Sequence, residues 1–145
     1  MRALLDVNVL IALFDQDHAF NDLAHSWLEA NSHQGIATCP LTENGLVRIL
    51  SHPGYSRQLH LTPTEVIRRL HNFLKIQDHV FWADDLSLRD SQYFDREKIL
   101  GSKQLTDIYL LGMAVKNGGK LVSFDKSIPL NSVERCRHEN LEALF

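Results

Sequence analysis

Four acidic side chains stand in apolar sequence, where an uncompensated charge is costly. Asp6 interrupts the apolar run MRALLDVNVLIALF, and Asp125 directly follows the run KLVSF. Glu43 lies in PLTENG and Asp107 in LTDIYLL, each just after a point where a helix is expected to begin. Taken singly, each acid has an ordinary structural explanation, as a helix cap or as a favourable charge at a helix N-terminus. Whether the four act together depends on where the secondary structure places them.

Short apolar runs alternate with helical patterns, which indicates a mostly parallel sheet with helices on both faces. At 145 residues, with 44% hydrophobic and 23% charged residues, the chain fits one globular domain spanning 1–145. Strands are expected at 2–6, 35–39, 79–82 and 120–124, with an edge strand at 141–144. Helices are expected from near Asn8, over 20–28, after Pro40, after the capping box Thr62–Glu65, and over 102–116.

In a parallel sheet, ligands bind beyond the carboxyl ends of the strands. Asp6 and Asp125 are expected to end two strands at that edge, and Glu43 and Asp107 to begin helices there. Four carboxylates in one partly buried pocket repel one another and require a compensating cation. A hard divalent cation with oxygen ligands, such as Mg²⁺, is the natural compensation.

Mg²⁺ or Mn²⁺ held by carboxylates can bind a phosphodiester oxygen, lower the pKa of a bound water and stabilise the leaving oxygen. The sequence contains no Gly-x-x-x-x-Gly-Lys P-loop and no Gly-x-Ser-x-Gly nucleophile elbow. The pattern therefore favours metal-assisted hydrolysis without a covalent intermediate.

Four motifs in order resemble the acidic signature of PIN domains, and more narrowly that of VapC-type toxins from bacterial toxin–antitoxin pairs. The motifs are Asp6-Val7-Asn8, Glu43, Thr106-Asp107-Ile108-Tyr109-Leu110 and Ser123-Phe124-Asp125. The likeness extends over residues 1–145 in length, order and spacing. It implies a PIN-like three-layer α/β/α fold with four to five strands. It also implies a Mg²⁺- or Mn²⁺-dependent endoribonuclease that hydrolyses RNA phosphodiester bonds.

The resemblance further implies site residues and partners. Asp6, Glu43, Asp107 and Asp125 match the acidic positions of the family, as catalytic residues and metal ligands, with Asn8, Thr106 and Ser123 in support. Asn8 has a second interpretation as a helix N-cap, and Ser123 as an ordinary strand hydroxyl. Members of the family are usually homodimers inhibited by a cognate antitoxin that covers or enters the active site. A homodimer and an antitoxin partner are therefore expected.

The charge distribution suggests where RNA would bind. The net charge is only −3, whereas VapC-like chains often carry more basic charge. Residues 40–75 hold five basic residues against two acids, while residues 1–39 hold one against five. This basic middle would have to supply most RNA contacts, with Arg48, Arg68 and Arg69 as candidates for phosphate binding. The alternative for each is a plain arginine on a solvated helix face.

Two other functions remain open from the sequence. A phosphatase with Asp6 as nucleophile would need a second acid two residues later, where Asn8 stands instead. A non-catalytic PIN-like module that binds RNA or protein is the other alternative, although all four acids are present.

A possible transition-metal site lies at His18, Asp22 and His25, which are spaced i, i+4 and i+7. The same residues form the polar side of an amphipathic helix opposite Phe20, Leu23 and Trp27, and this solvated-face interpretation is favoured.

The remaining features bear on location. Cys39 and Cys136 fit no zinc or C-x-x-C pattern and are expected to be reduced. The apolar N-terminal run contains Asp6 and Asn8 and is too short to span a bilayer, so we expect neither a signal peptide nor a membrane anchor. The expected location is the cytoplasm.

Overall fold

A five-stranded, all-parallel sheet forms the centre of the protein in a computed structural model that describes residues 1–145. The strand order is β3-β2-β1-β4-β5, so the first strand lies in the middle. The strands are β1 (Ala3–Leu5), β2 (Ile36–Thr38), β3 (His79–Phe81), β4 (Lys120–Ser123) and β5 (Leu141–Ala143). Each lies within a stretch expected from the sequence, which confirms the parallel α/β architecture.

Five helices cover the two faces of the sheet. They are α1 (Val7–Phe14), α2 (Asn21–Asn31), α3 (Pro40–Leu50), α4 (Pro63–Lys75) and α5 (Leu105–Lys116). One core cluster joins β-strand residues such as Leu5 and Val122 to α1, α2, α3 and α4. A second cluster joins Leu4 and Leu121 to α5 on the opposite face. The helices therefore form two outer layers around the sheet, as the three-layer prediction requires.

The N-termini of three helices can be compared with the positions expected from the sequence. Thr62 caps α4, accepting the Glu65 N–H at 3.2 Å, as the capping box predicts. The cap of α1 is Asp6, so the N-cap interpretation of Asn8 is wrong. Helix α5 begins at Leu105 rather than at the expected Ser102, because residues 102–104 form a bend and a turn before it.

Gly45 allows α3 to pack closely on the start of α1. A Cβ at this position would lie 2.7 Å from Val7 Cγ2, closer than side chains tolerate. Since Val7 directly follows Asp6, this contact fixes the helix that begins at the carboxyl end of β1.

The residues of the possible transition-metal site do not come together as ligands. His18 lies before α2, where its Nδ1 accepts the Phe20 N–H at 3.0 Å. His25 contacts the Leu13 carbonyl through Nε2 at 2.9 Å, and Asp22 is exposed. The histidines therefore serve local structure.

Two further features were anticipated from composition. Cys39 and Cys136 are both free thiols, Cys39 being buried. None of the five helices combines the length and the apolar character that crossing a membrane requires.

Candidate active site

Asp6 lies where β1 gives way to α1, at the carboxyl end of the central strand. Its side chain is 4% exposed, and Oδ1 accepts the Val7 N–H at 2.7 Å. The Ser123 hydroxyl, at the end of neighbouring β4, donates to Asp6 Oδ2 at 2.7 Å. Burial raises the pKa of Asp6, while these two hydrogen bonds partly oppose the rise. Asp6 is thus a buried carboxylate fixed by the adjacent strand.

Asn8 and Ser123 link the two central strands above the sheet. The Asn8 amide donates to Ser123 Oγ at 3.3 Å, and its carbonyl oxygen accepts the Phe124 N–H at 3.4 Å. Ser123 is fully buried and also accepts the Asp125 N–H at 3.0 Å. Ser123 therefore orients the Asp6 carboxylate directly, and Asn8 holds Ser123 in place.

Asp125 follows β4 and is more accessible than Asp6. Its Oδ1 accepts two hydrogen bonds from Ser127, from the backbone N–H at 2.8 Å and from the hydroxyl at 2.6 Å. Gln104 holds Ser127 in turn, through its side-chain amide. The hydrogen bonds from Ser127 hold the pKa of Asp125 below its usual range, with a smaller effect from the Lys103 cation.

Asp107 stands in the first turn of α5 and faces the other two aspartates. Burial and the negative charges of Asp6 and Asp125 raise its pKa from 3.8 to about 6. Asp125 also raises the pKa of Asp6. We call Asp6, Asp107 and Asp125 the aspartate cluster, because their charges act on one another and leave an unbalanced negative potential.

A cavity of about 690 Å³ opens beside this cluster. Asp107 and Asp125 line it, whereas the buried side chain of Asp6 does not. Its rim is partly basic, since Lys98 and Lys103 line it and both are exposed. A cavity lined by both carboxylates and exposed cations suits a ligand that carries phosphate groups, with a cation between the phosphates and the acids.

Glu43 lies apart from the aspartate cluster. It contributes to neither the pKa of Asp6 nor that of Asp107, and it does not line the same cavity. Its Oε2 instead accepts a hydrogen bond from Thr38 Oγ1 at 2.6 Å, at the end of β2. Glu43 lines two other cavities along the groove between α3 and α4. The structure therefore brings together three of the four predicted acids.

The other predicted residues lie outside the cavity of the aspartate cluster. Thr106 is exposed on the first turn of α5, and its side chain makes no hydrogen bond. Arg48 is exposed on α3 and lines the groove that contains Glu43. Arg68 and Arg69 are exposed on α4.

Four cavity residues were not anticipated: Lys98, Lys103, Gln104 and Ser127. Ser127 carried a usable signal, because a serine two residues after an aspartate commonly closes a local turn on the carboxylate. Lys98 and Lys103 carried none, since only the fold brings residues 98–104 beside the loop after β4.

The donor set suits a hard divalent cation. The cluster offers only carboxylate oxygens, and its unbalanced charge is what such an ion would neutralise. No three His, Cys, Asp or Glu side chains are placed to hold an ion among themselves. Mg²⁺ commonly keeps waters and substrate oxygens among its ligands and needs only one or two carboxylates, so the aspartate cluster fits this mode of binding.

Comparison with known proteins identifies the family. The PIN-domain family model matches residues 3–133. Ribonuclease VapC44 of Mycobacterium tuberculosis is 40% identical over 144 residues, which cover 99% of this chain and 100% of the relative. Ribonuclease VapC39 is 39% identical over 128 residues, covering 88% and 91%, and ribonuclease VapC38 is 39% identical over 126, covering 87% and 86%. With the parallel sheet and the acids at its carboxyl edge, these matches show that the chain belongs to the PIN-domain family, in its VapC group.

Proposed function

We propose that this protein is an endoribonuclease that hydrolyses RNA phosphodiester bonds with Mg²⁺ or Mn²⁺, and that it is the toxin of a VapBC-type toxin–antitoxin pair. The observation that carries the proposal is the aspartate cluster beside a cavity rimmed by Lys98 and Lys103. Similarity to proteins named ribonuclease over nearly the whole chain supports the same conclusion.

The proposed metal site is the aspartate cluster of Asp6, Asp107 and Asp125, in which one or two carboxylates bind the ion directly, with Glu43 as a further acid at the edge of the site. When bound, the divalent cation would supply charge compensation, an activated water and stabilisation of the leaving oxygen. Ser123 and the Val7 N–H hold Asp6 in one orientation, and Ser127 does the same for Asp125. Asn8 supports both through Ser123. These contacts keep the acids in place before substrate arrives.

Binding of RNA is assigned first to the basic rim of the cavity. Lys103 and Lys98 are exposed cations that line the same cavity as Asp107 and Asp125, so they can contact a phosphate bound there. Arg48, Arg68 and Arg69 remain proposed contacts for RNA beyond the cleaved bond, because they are exposed on α3 and α4. Arg48 is the best placed of the three, since it shares a groove with Glu43.

The test is cleavage of a 5′-labelled RNA of random sequence by the purified protein with Mg²⁺, with Mn²⁺, and with a chelator. We expect cleavage only with a metal. Asp6→Asn should lower the rate at least about a hundredfold, because it removes a buried charge while keeping the side-chain shape. Asp17→Asn is the matched control, since Asp17 is exposed in the α1–α2 loop and makes the same charge change away from the site.

Other outcomes would contradict the proposal. Equal cleavage by Asp6→Asn and wild type would remove the metal site from the mechanism. RNA binding without cleavage under any metal would identify a non-catalytic binding module. Turnover of a small phosphomonoester with intact RNA would indicate a phosphatase.

Two partners, a second copy of the chain and an antitoxin, belong to the same proposal, and so does a location in the cytoplasm. The chain forms a homodimer, which light scattering would detect as twice the chain mass of 16.6 kDa. A cognate antitoxin covers or enters the active site, and an adjacent reading frame whose product suppresses RNA cleavage would identify it. Because the substrate is RNA, the protein acts in the cytoplasm. A monomer in solution, or cleavage unaffected by the neighbouring product, would contradict the respective assignment.

A further inference from the structure

Thr38 stands between Glu43 and a histidine on the next strand. Its side chain is fully buried at the end of β2, with Oγ1 lying 2.6 Å from Glu43 Oε2 and 2.7 Å from His79 Nε2. His79 is the first residue of β3 and pairs in register with Ile36, two residues before Thr38. Side chains two residues apart on a strand share a face, so Thr38 and His79 meet on the side of the sheet that α3 covers.

The number of protons fixes the direction of both hydrogen bonds. A threonine hydroxyl has one proton to donate, and an ionised carboxylate can only accept. The Thr38 proton therefore belongs to the bond with Glu43, and the 2.7 Å contact with His79 requires a proton on Nε2 of the imidazole. The opposite direction would leave two oxygens 2.6 Å apart with no proton between them.

We propose that His79 is a positioning residue, whose Nε2–H tautomer holds the Thr38 hydroxyl so that it fixes the carboxylate of Glu43 in one orientation. We call His79, Thr38 and Glu43 the Glu43 relay. The functional part of this inference rests on the proposed function, in which Glu43 assists the metal site.

The Glu43 relay uses only one of the two carboxylate oxygens of Glu43. Oε2 is occupied by Thr38, whereas Oε1 makes no hydrogen bond within the chain. One oxygen is thus anchored and the other is open to an outside ligand, which is how supporting residues orient a ligating carboxylate. Burial lowers the pKa of His79, so the ring stays neutral and keeps a single N–H at neutral pH.

Two measurements test the relay. The first is the ¹⁵N chemical shift of the imidazole nitrogens of His79 by NMR, without metal or RNA, which should show the proton on Nε2. The second is Mn²⁺ binding, measured as loss of the free Mn²⁺ signal in electron paramagnetic resonance. We expect His79→Leu and Thr38→Val to weaken Mn²⁺ binding about tenfold, as Glu43→Gln does, because each leaves the carboxylate without its anchor.

The matched variants separate positioning from general structure. His79→Gln offers an amide N–H near the place of Nε2–H and should restore Mn²⁺ binding to within about threefold of wild type. His71→Leu is the control, because His71 is exposed on the same groove and makes no side-chain hydrogen bond. Thermal melting of each variant checks that it is folded.

The outcomes are distinct. A proton on Nδ1, Mn²⁺ affinity unchanged in His79→Leu, or His79→Gln as weak as His79→Leu would each overturn the relay. If the Nε2–H tautomer and the loss of Mn²⁺ affinity are both observed but the wild type cleaves no RNA, the proposed function fails and the relay stands.

Discussion

The aspartate cluster and the Glu43 relay treat buried negative charge in opposite ways. In the cluster, burial and the negative charges of Asp6 and Asp125 raise the pKa of Asp107 to about 6. Serine hydroxyls donate hydrogen bonds to Asp6 and Asp125 but not to Asp107. In the relay, Glu43 stands away from the other acids and receives a directed hydrogen bond from buried Thr38. The first arrangement stores repulsion that a cation can relieve, while the second holds one carboxylate still. The difference distinguishes the three acids that we propose bind the metal from the one that we propose assists them.

The largest expected effect compares the two regions directly in catalysis. Asp107→Asn should lower metal-dependent RNA cleavage at least about a hundredfold, because it removes one of three charges that act together. Glu43→Gln should lower it about tenfold, because the aspartate cluster is left intact. Initial cleavage rates at saturating Mn²⁺ provide the measurement. Equal losses of cleavage rate in the two variants would contradict the proposed difference between the aspartate cluster and Glu43.

The second effect concerns stability with metal. Mn²⁺ at a hundred times its Kd should raise the free energy of unfolding of the wild type by about 2.7 kcal/mol, because the ion binds only the folded protein. At the same Mn²⁺ concentration, Asp107→Asn should gain much less, and Asp17→Asn should match the wild type. Urea unfolding with and without Mn²⁺ tests this. An equal gain in Asp107→Asn would place the ion outside the cluster.

The third effect concerns stability without metal, where Asp107→Asn should raise the free energy of unfolding instead of lowering it. The pKa of Asp107 rises from 3.8 to about 6 on folding, so its contribution to stability is fully present below pH 3.8 and is lost as pH rises through 6. Because the side chain is only partly buried, the loss is about 1 kcal/mol after allowance for solvent screening. Metal-free Asp107→Asn should therefore be more stable than wild type by about that amount at pH 7.5.

The control for this reversal is the same pair of proteins at low pH. Near pH 4 the wild-type carboxyl is largely protonated in the folded state, so the stability advantage of Asp107→Asn should disappear. Urea midpoints at the two pH values give the comparison. An advantage that persists at pH 4 would trace to packing rather than to charge.

The smallest effect tests the rim of the cavity. Lys103→Ala should reduce by about 1 the slope of log affinity for RNA against log salt concentration, because one phosphate contact is lost. Arg89→Ala should leave the slope unchanged, since Arg89 is exposed outside the cavity. RNA binding is measured by fluorescence anisotropy. Each variant also carries Asp6→Asn, so that the RNA is not cleaved during the titration. Equal slopes for Lys103→Ala and wild type would remove Lys103 from the RNA path.

Local sequence patterns predicted the strands and helices well, because these elements depend mainly on residues close together in the sequence. The apolar runs placed all five strands, and Thr62 with Pro63 located the start of α4 to the residue. Asp6 and Asp125 were expected at one sheet edge because parallel strands share their direction, and the structure places both there.

Contacts that depend on side chains distant in sequence could not be predicted. The direction of Glu43 depends on Thr38 and His79, and the pairing of Thr38 with His79 follows from the β2–β3 register. Lys103 meets Asp125 only because α5 begins beside the loop after β4. The sequence leaves both Asp6 and Asn8 as candidate caps of α1, because both residue types are good caps and only the position of the strand end distinguishes them.

The hydrogen bond from Ser123 to Asp6 joins residues 117 positions apart. During synthesis, the central strand and its aspartate emerge long before their partner strand exists, so a nascent chain carries the first acid without the rest of the cluster. Parallel pairings of such wide sequence separation also form late and slowly. The aspartate cluster can therefore assemble only after almost the whole chain has been synthesised.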